Sequence, residues 1–310
     1  MRRSFTTVLA AAWLCSPAFL VADEPAPVQT DAGFAIYESE SFRITCPVER
    51  TTAAQPTKLL ELCEALRGEL QQRWFEQPLP TWQVRGDIVL HRTRTEYARY
   101  LGPGSERTSG CTTIEVNDAG ISVRRLDIRL DSPGWERDVL PHELAHVVLA
   151  DRFPDKPMPA WASEGIAVLL EGERKLAHRN QELLRAWQAR QVPYASHLLL
   201  TADNPHAYAP DAFYGQSARL AGFLCLRETS PRFLDFVAQC DASGHDKALL
   251  DVYGIHSRDE LDRLLAQESA LIPADALDIK SRIDDLVAEY QGKPSPQARA
   301  IVTRSVSEAE

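Results

Sequence analysis

Two textures divide the chain. Up to about residue 130 short runs of alternating apolar and polar positions predominate, and from residue 136 onward the apolar spacing turns helical. Phe42, Arg43, Ile44 and Thr45 alternate as a strand does, and residues 84–90 read as a second strand. Residues 112–116 and 121–130 read as two more, joined by the turn Asn117-Asp118-Ala119-Gly120. In the last of these, Ile121 and Val123 share one parity while Leu126, Ile128 and Leu130 take the other, so a bulge is expected near Arg124 and Arg125. One helix falls among the strands: Leu59, Leu62, Cys63, Leu66, Leu70 and Trp74 recur at helical spacing over residues 57–75. Gly102-Pro103-Gly104 marks a loop. Further helices are predicted near residues 138–151, 160–171, 177–190, 212–228, 231–240, 245–253, 257–270 and 274–290.

These patterns predict an α+β protein. A mixed α/β N-terminal lobe with a short sheet spans residues 36–134, and a helical lobe spans residues 135–290, with the boundary near Asp131-Ser132-Pro133-Gly134. Residues 23–35, rich in Pro, Ala and Asp, read as a linker, and the polar, aperiodic residues 291–310 as a disordered tail. Residues 1–22 read as a secretory signal peptide. Arg2 and Arg3 precede an uncharged stretch that Asp23 and Glu24 end, and its unbroken apolar run of 8 residues is cut by Ser16-Pro17. A spanning helix needs about 20 apolar residues. No later segment approaches that, so the mature chain is expected to be exported, periplasmic or extracellular, with no transmembrane segment.

Composition narrows the function classes. The chain has 310 residues, 44% hydrophobic and 25% charged, enough to bury a sizeable core and unlike a disordered chain or a disulfide-stapled miniprotein. Its 34 basic and 44 acidic residues give a net charge of −10, so no nucleic-acid partner is expected. Beyond the signal, Cys46, Cys63, Cys111, Cys225 and Cys240 make an odd set. Cys225 and Cys240 could pair, and burial of most of them as small apolar residues is the competing reading. There is no CxxC, GxxxxGK[ST], complete GxGxxG or GxSxG.

Against this background one motif stands out: His142-Glu143-Leu144-Ala145-His146, an HExxH. Residues four apart share a helix face, so His142 and His146 can offer imidazole nitrogens to one tetrahedral metal ion. Glu143, one residue on, is offset from coordination yet close enough to serve as general base toward an attacking water. Leu140, Leu144, Val147 and Val148 supply the apolar surroundings of a buried helix. Asp138 is the expected N-cap, and Pro141 is tolerable only in the first turn.

A third ligand follows. Residues 161–170 form a strongly apolar helix with one carboxylate, Glu164, lying 18 residues beyond His146 after a loop punctuated by Pro154, Pro157 and Pro159. A buried carboxylate needs a partner or a metal. Two His and one Glu would leave a fourth zinc position open, as catalytic sites do. His91, His197, His206, His245 and His256 show no ligand-like spacing and read as surface or satisfied core residues.

The HELAH stretch followed at this distance by PAWASEGIAVLLEG resembles the gluzincin branch of the zinc metallopeptidases, the peptidase MA-like group. Trp161, Glu164, Gly165 and Ala167 match its W-x-x-E-G-x-A pattern, and the likeness covers residues 139–171. The resemblance implies a zincin-like fold, Zn2+ held by His142, His146 and Glu164, and Glu143 as catalytic acid/base. It also implies a strand beside the active-site helix whose edge pairs with a peptide or protein substrate. Residues 126–130 are the candidate. Phe213-Tyr214-Gly215-Gln216-Ser217 resembles the Tyr-x-Gln-Ser stretch of the same group, which makes Tyr214 either an oxyanion-stabilising catalytic residue or a packing residue. Two functions stand at this point: an exported zinc-dependent metallopeptidase, and a non-catalytic envelope binding protein on a metallopeptidase scaffold.

Overall fold

The computed structural model describes residues 6–9, 28–29, 33–75, 81–118, 120–200, 209–268, 272–273, 276–277 and 279–293. The signal-peptide cleavage site after Ala22, most of the linker and signal residues, the tail beyond residue 293 and His206 lie outside them.

The protein is a mixed α+β structure built on one sheet. Its strands are β1 (Thr6–Leu9), β2 (Val28–Gln29), β3 (Phe34–Glu38), β4 (Phe42–Pro47), β5 (Gly86–His91), β6 (Gly110–Asn117) and β7 (Gly120–Arg129), in the order β1-β6-β7-β5-β4-β3-β2. β4, β5 and β7 run parallel, and the remaining pairs are antiparallel. Helices α1 (Thr51–Ala54) and α2 (Pro56–Trp74) join β4 to β5, and α3 (Arg94–Leu101) joins β5 to β6. After β7 come α4 (Trp135–Asp138), α5 (Leu140–Leu149), α6 (Ala160–Leu169), α7 (Glu173–Gln188) and α8 (Ala195–Leu200). Then follow α9 (Pro210–Cys225), α10 (Ser230–Ser243), α11 (His245–Tyr253), α12 (Arg258–Gln267) and α13 (Lys280–Tyr290).

Register decides which side chains form the buried face. Ile44, Ile88, Leu126 and Thr112 line up in one row across β4, β5, β7 and β6, and Leu90, Ile128 and Gly110 form part of the next. All of these are buried. The phase slip expected in β7 is present but sits earlier than Arg124. Glu115 pairs with Val123 and Val116 with Ile121, so Ser122 is the extra residue. That moves the bulge toward the hairpin turn, where an unpaired residue disturbs the fewest ladder bonds, and leaves Arg124, Leu126 and Ile128 on the buried face.

Several short elements escape the periodicity reading, β1, β2, β3, α1, α3 and α8 among them. Helix α3 starts at an N-cap, Thr93, whose side chain accepts from the Glu96 N–H, while the Glu96 carboxylate accepts from the N–H of Arg92, the residue before the cap. Strand β3 lies at the end of the segment read as a linker. Among the described residues no helix is long and apolar enough to cross a membrane.

The chain groups into two compact units, neither of them continuous: Met1–Gln71, Leu79–Val148 and Ile279–Glu310 in the first, Gln72–Pro78 and Leu149–Asp278 in the second. The first holds the sheet, α5 and α13, whose Tyr290 hydroxyl donates to the Ala54 carbonyl at 2.7 Å. The second has an aromatic core in which Trp74 and Trp161 both pack edge-on against Phe233. The sequence reading divides the chain near residue 134; the compact units divide it after Val148. The five described cysteines are free thiols, so Cys225 and Cys240 are not bonded, and Cys46, Cys63 and Cys225 are buried.

Candidate metal centre

Helix α5 carries the HExxH. Leu140, Leu144, Ala145, Val147 and Val148 are fully buried, which leaves little freedom in how the helix is rotated. Pro141 is its second residue, within the first turn of α5. Asp138 does not cap it: Asp138 ends α4, Val139 follows in helical conformation, and the Glu143 N–H already donates to the Val139 carbonyl at 2.9 Å. The chain enters α5 by continuing a helical turn, so a capping side chain has no place there.

One turn apart on this helix, the His142 and His146 rings stand 6.1 Å apart and nearly perpendicular. Burial, helped by the neighbouring His142, pushes the His146 imidazole well below its usual pKa, so it is neutral and keeps a lone pair for a ligand.

Glu143 points at the sheet and is 2% exposed. The Thr112 hydroxyl of β6 lies 3.0 Å from its Oε2 and 2.9 Å from its backbone oxygen. At Gly110, a Cβ would stand only 2.3 Å from Glu143 Oε1 and 2.5 Å from Val139 Cγ1, so any side chain there would displace the Glu143 carboxylate or Val139. Toward the other end of α5, Arg124 of β7 donates to the Val147 carbonyl at 2.9 Å, a cation at the helix C-terminus, and its guanidinium stacks on Trp82.

These contacts correct the choice of edge strand. Residues 126–130 lie mostly in β7, which is interior, paired on one side with β5 and on the other with β6. The strand meeting Glu143 is β6, because parallel addition of β7 to β5 places the β6–β7 hairpin with β6 outward. The outer edge of β6 accepts β1 antiparallel, with Leu9 opposite Thr112.

Glu164 sits in α6, where every residue from Trp161 to Leu169 is buried. The helix packs against α9 so closely that a Cβ on Gly165 would lie 2.5 Å from the Ser217 carbonyl oxygen and 2.8 Å from the Ala221 Cβ. The glycine after Glu164 is thus a helix-crossing residue. Within the Phe213–Ser217 stretch, the Gln216 amide donates to the Pro193 carbonyl at 3.0 Å and Gly215 meets Leu183. Tyr214 is half-buried, with the Arg179 guanidinium 5.0 Å from its ring centre.

His142, His146 and Glu164 each offer a donor atom, and these atoms all lie within 4.8 Å of one another. All three residues are buried. Two imidazoles, one of them held neutral, and one carboxylate make a donor set that suits a borderline-soft cation such as Zn2+. Among the described residues no other His, Cys, Asp and Glu group meets this criterion.

Sequence reasoning missed Thr112, Gly110 and Arg124, which contact α5 only through the sheet. It also missed Glu171, a buried carboxylate just past α6. Of the remaining histidines, His91 is a satisfied core residue, its Nε2 2.7 Å from Asp127 Oδ1, and His197 and His256 are exposed. No family model matches the chain, and no similar curated protein or solved structure is found.

Proposed function

We propose that the protein is a zinc-dependent metallopeptidase that hydrolyses peptide bonds outside the cytoplasm. The observation that carries this reading is the convergence of three buried donors, His142, His146 and Glu164, beside a buried carboxylate that is one residue away in sequence and held against the sheet. The gluzincin-like motif pattern supports it.

A zinc ion held by these residues would supply Lewis acidity to the scissile carbonyl and to the attacking water. The chain's own groups do the rest. His142 and His146 bind as neutral imidazoles, and Glu164 brings one negative charge to the site. The Glu143 carboxylate takes the proton of the attacking water and returns it to the leaving amine, the two halves of general acid–base catalysis. Tyr214 would donate its hydroxyl proton in a hydrogen bond to the developing oxyanion. The substrate main chain adds as a strand to the outer edge of β6, the edge that already accepts β1. Removal of an export signal containing β1 would open that edge.

The test is the metal content of the purified chain lacking residues 1–22, read by elemental mass spectrometry. Close to one zinc per chain, lost in His146→Ala, is expected. No zinc bound, and none taken up on addition, would overturn the reading. Zinc without cleavage of any peptide would leave the binding-protein alternative in its place.

A further inference from the structure

In the two rows of the sheet that run to Glu143, the side chains are aliphatic until they reach β6. In the row Ile44, Ile88, Leu126, Thr112, three aliphatic side chains are followed by a hydroxyl, and in the adjoining row Leu90 and Ile128 are followed by a glycine. Both departures fall on β6, two residues apart and on the same face, and both contact the Glu143 carboxylate. Thr112 is 0% exposed, so bulk solvent does not reach its hydroxyl, and the two acceptors it donates to both belong to Glu143. A β-branched residue in a strand has few χ1 states, which fixes where that hydroxyl points.

We infer that Thr112 and Gly110 form a cradle that sets the Glu143 carboxylate, Thr112 holding Oε2 against the helix backbone and Gly110 leaving the space that Oε1 and Cδ fill. Thr112 is therefore a positioning residue for the hydrolysis proposed above, acting through Glu143 without touching substrate, and its catalytic consequence rests on that reading. The carboxylate of a glutamate has three rotatable bonds behind it. Clamping it between a hydroxyl and a glycine gap removes that freedom before substrate arrives, which is where a general base gains its effective concentration.

The experiment compares Thr112→Val and Thr112→Ser in the zinc-loaded chain, with quenched fluorescent peptides as the probe. Valine keeps the shape and removes the hydroxyl. It is expected to lower kcat by roughly 10- to 100-fold, the order of loss expected for a small misplacement of a catalytic group. KM and zinc content should be unchanged, and Thr112→Ser should restore most of the loss. A loss in Thr112→Val that serine does not restore, or one appearing in KM, would overturn the positioning role.

A second readout needs no turnover. In thermal unfolding, Thr112→Val and Glu143→Ala should be non-additive, the double variant losing less than the sum of the two single losses. Additive losses would overturn the cradle. Non-additive losses in a chain that cleaves no peptide would establish the contact and remove the hydrolase reading, so the two failures are told apart.

Discussion

Glu164 and Glu171 lie seven residues apart in one apolar stretch, and both are buried, Glu171 the more deeply. Their surroundings differ in kind. Glu171 is met by cations: Arg179 spans both of its oxygens at 3.1 Å and Lys175 reaches Oε1 at 2.8 Å. Burial works against the Arg179 charge, but Glu171 and Glu182 more than offset it and hold the guanidinium protonated. Glu164 is met by two imidazoles. A carboxylate between a guanidinium and an ammonium is neutralised, whereas one beside two imidazoles belongs to a donor group that could hold a metal ion. Burial of an acid therefore does not identify a site; the partners do.

The same contrast recurs across the sheet. Asp127, fully buried, is gripped by Arg125 at 2.7 and 2.8 Å and by His91. Glu143 is held by a neutral hydroxyl. The first arrangement locks a charge in place. The second orients a carboxylate through a hydroxyl.

The sharpest way to break this comparison is Glu143→Gln, which keeps the shape and removes the base. Peptide hydrolysis should fall by about 10²- to 10⁴-fold while zinc content and melting temperature hold. Unchanged turnover would place Glu143 with the neutralised carboxylates. Next is Glu164→Ala, which should weaken zinc affinity by more than the roughly 10- to 100-fold typical of outer-shell partners, as a competition titration with a chelator would read. Full zinc retention there would remove Glu164 from the ligand set.

Glu171→Ala should give the opposite profile, costing about 3–5 kcal/mol of stability in denaturant unfolding because buried cations lose their counter-ion. Zinc binding should persist, and a loss of zinc without loss of stability would erase the distinction between the two glutamates.

The smallest effect is at Asp127. Burial pushes its carboxyl up, but the hydrogen bonds from Arg125 and His91 outweigh it and hold the pKa below the ordinary 3.8. A depressed folded pKa means that the stability contributed is full above the unfolded value. It is lost as pH falls through the lower, folded one, which confines the effect to below about pH 5. Arg125→Met should therefore move the acid-unfolding midpoint, followed by circular dichroism, to higher pH. An unmoved midpoint would show that the ion pair contributes nothing.

How much of this was legible follows the range of the interactions. Helices α2, α5, α6 and α9 are written in local apolar spacing, and the His142–His146 pairing is one helical turn, so both could be read directly. Helix α3 went unread, because it buries only Tyr97 and so leaves no apolar periodicity. The bulge in β7 announced itself as a parity slip, yet its location at Ser122 depended on how β6 pairs with it.

What the sequence determined by itself is therefore most of the longer elements, the α+β character and the chemistry available on α5 and α6, since each depends on residues a few positions apart. Only the tertiary structure decided which strand faces Glu143, why Gly110 and Thr112 stand where they do, and which of two buried glutamates meets cations and which meets histidines. Those outcomes depend on strand order and helix crossing, which join residues distant in the chain, and no local pattern records such a join.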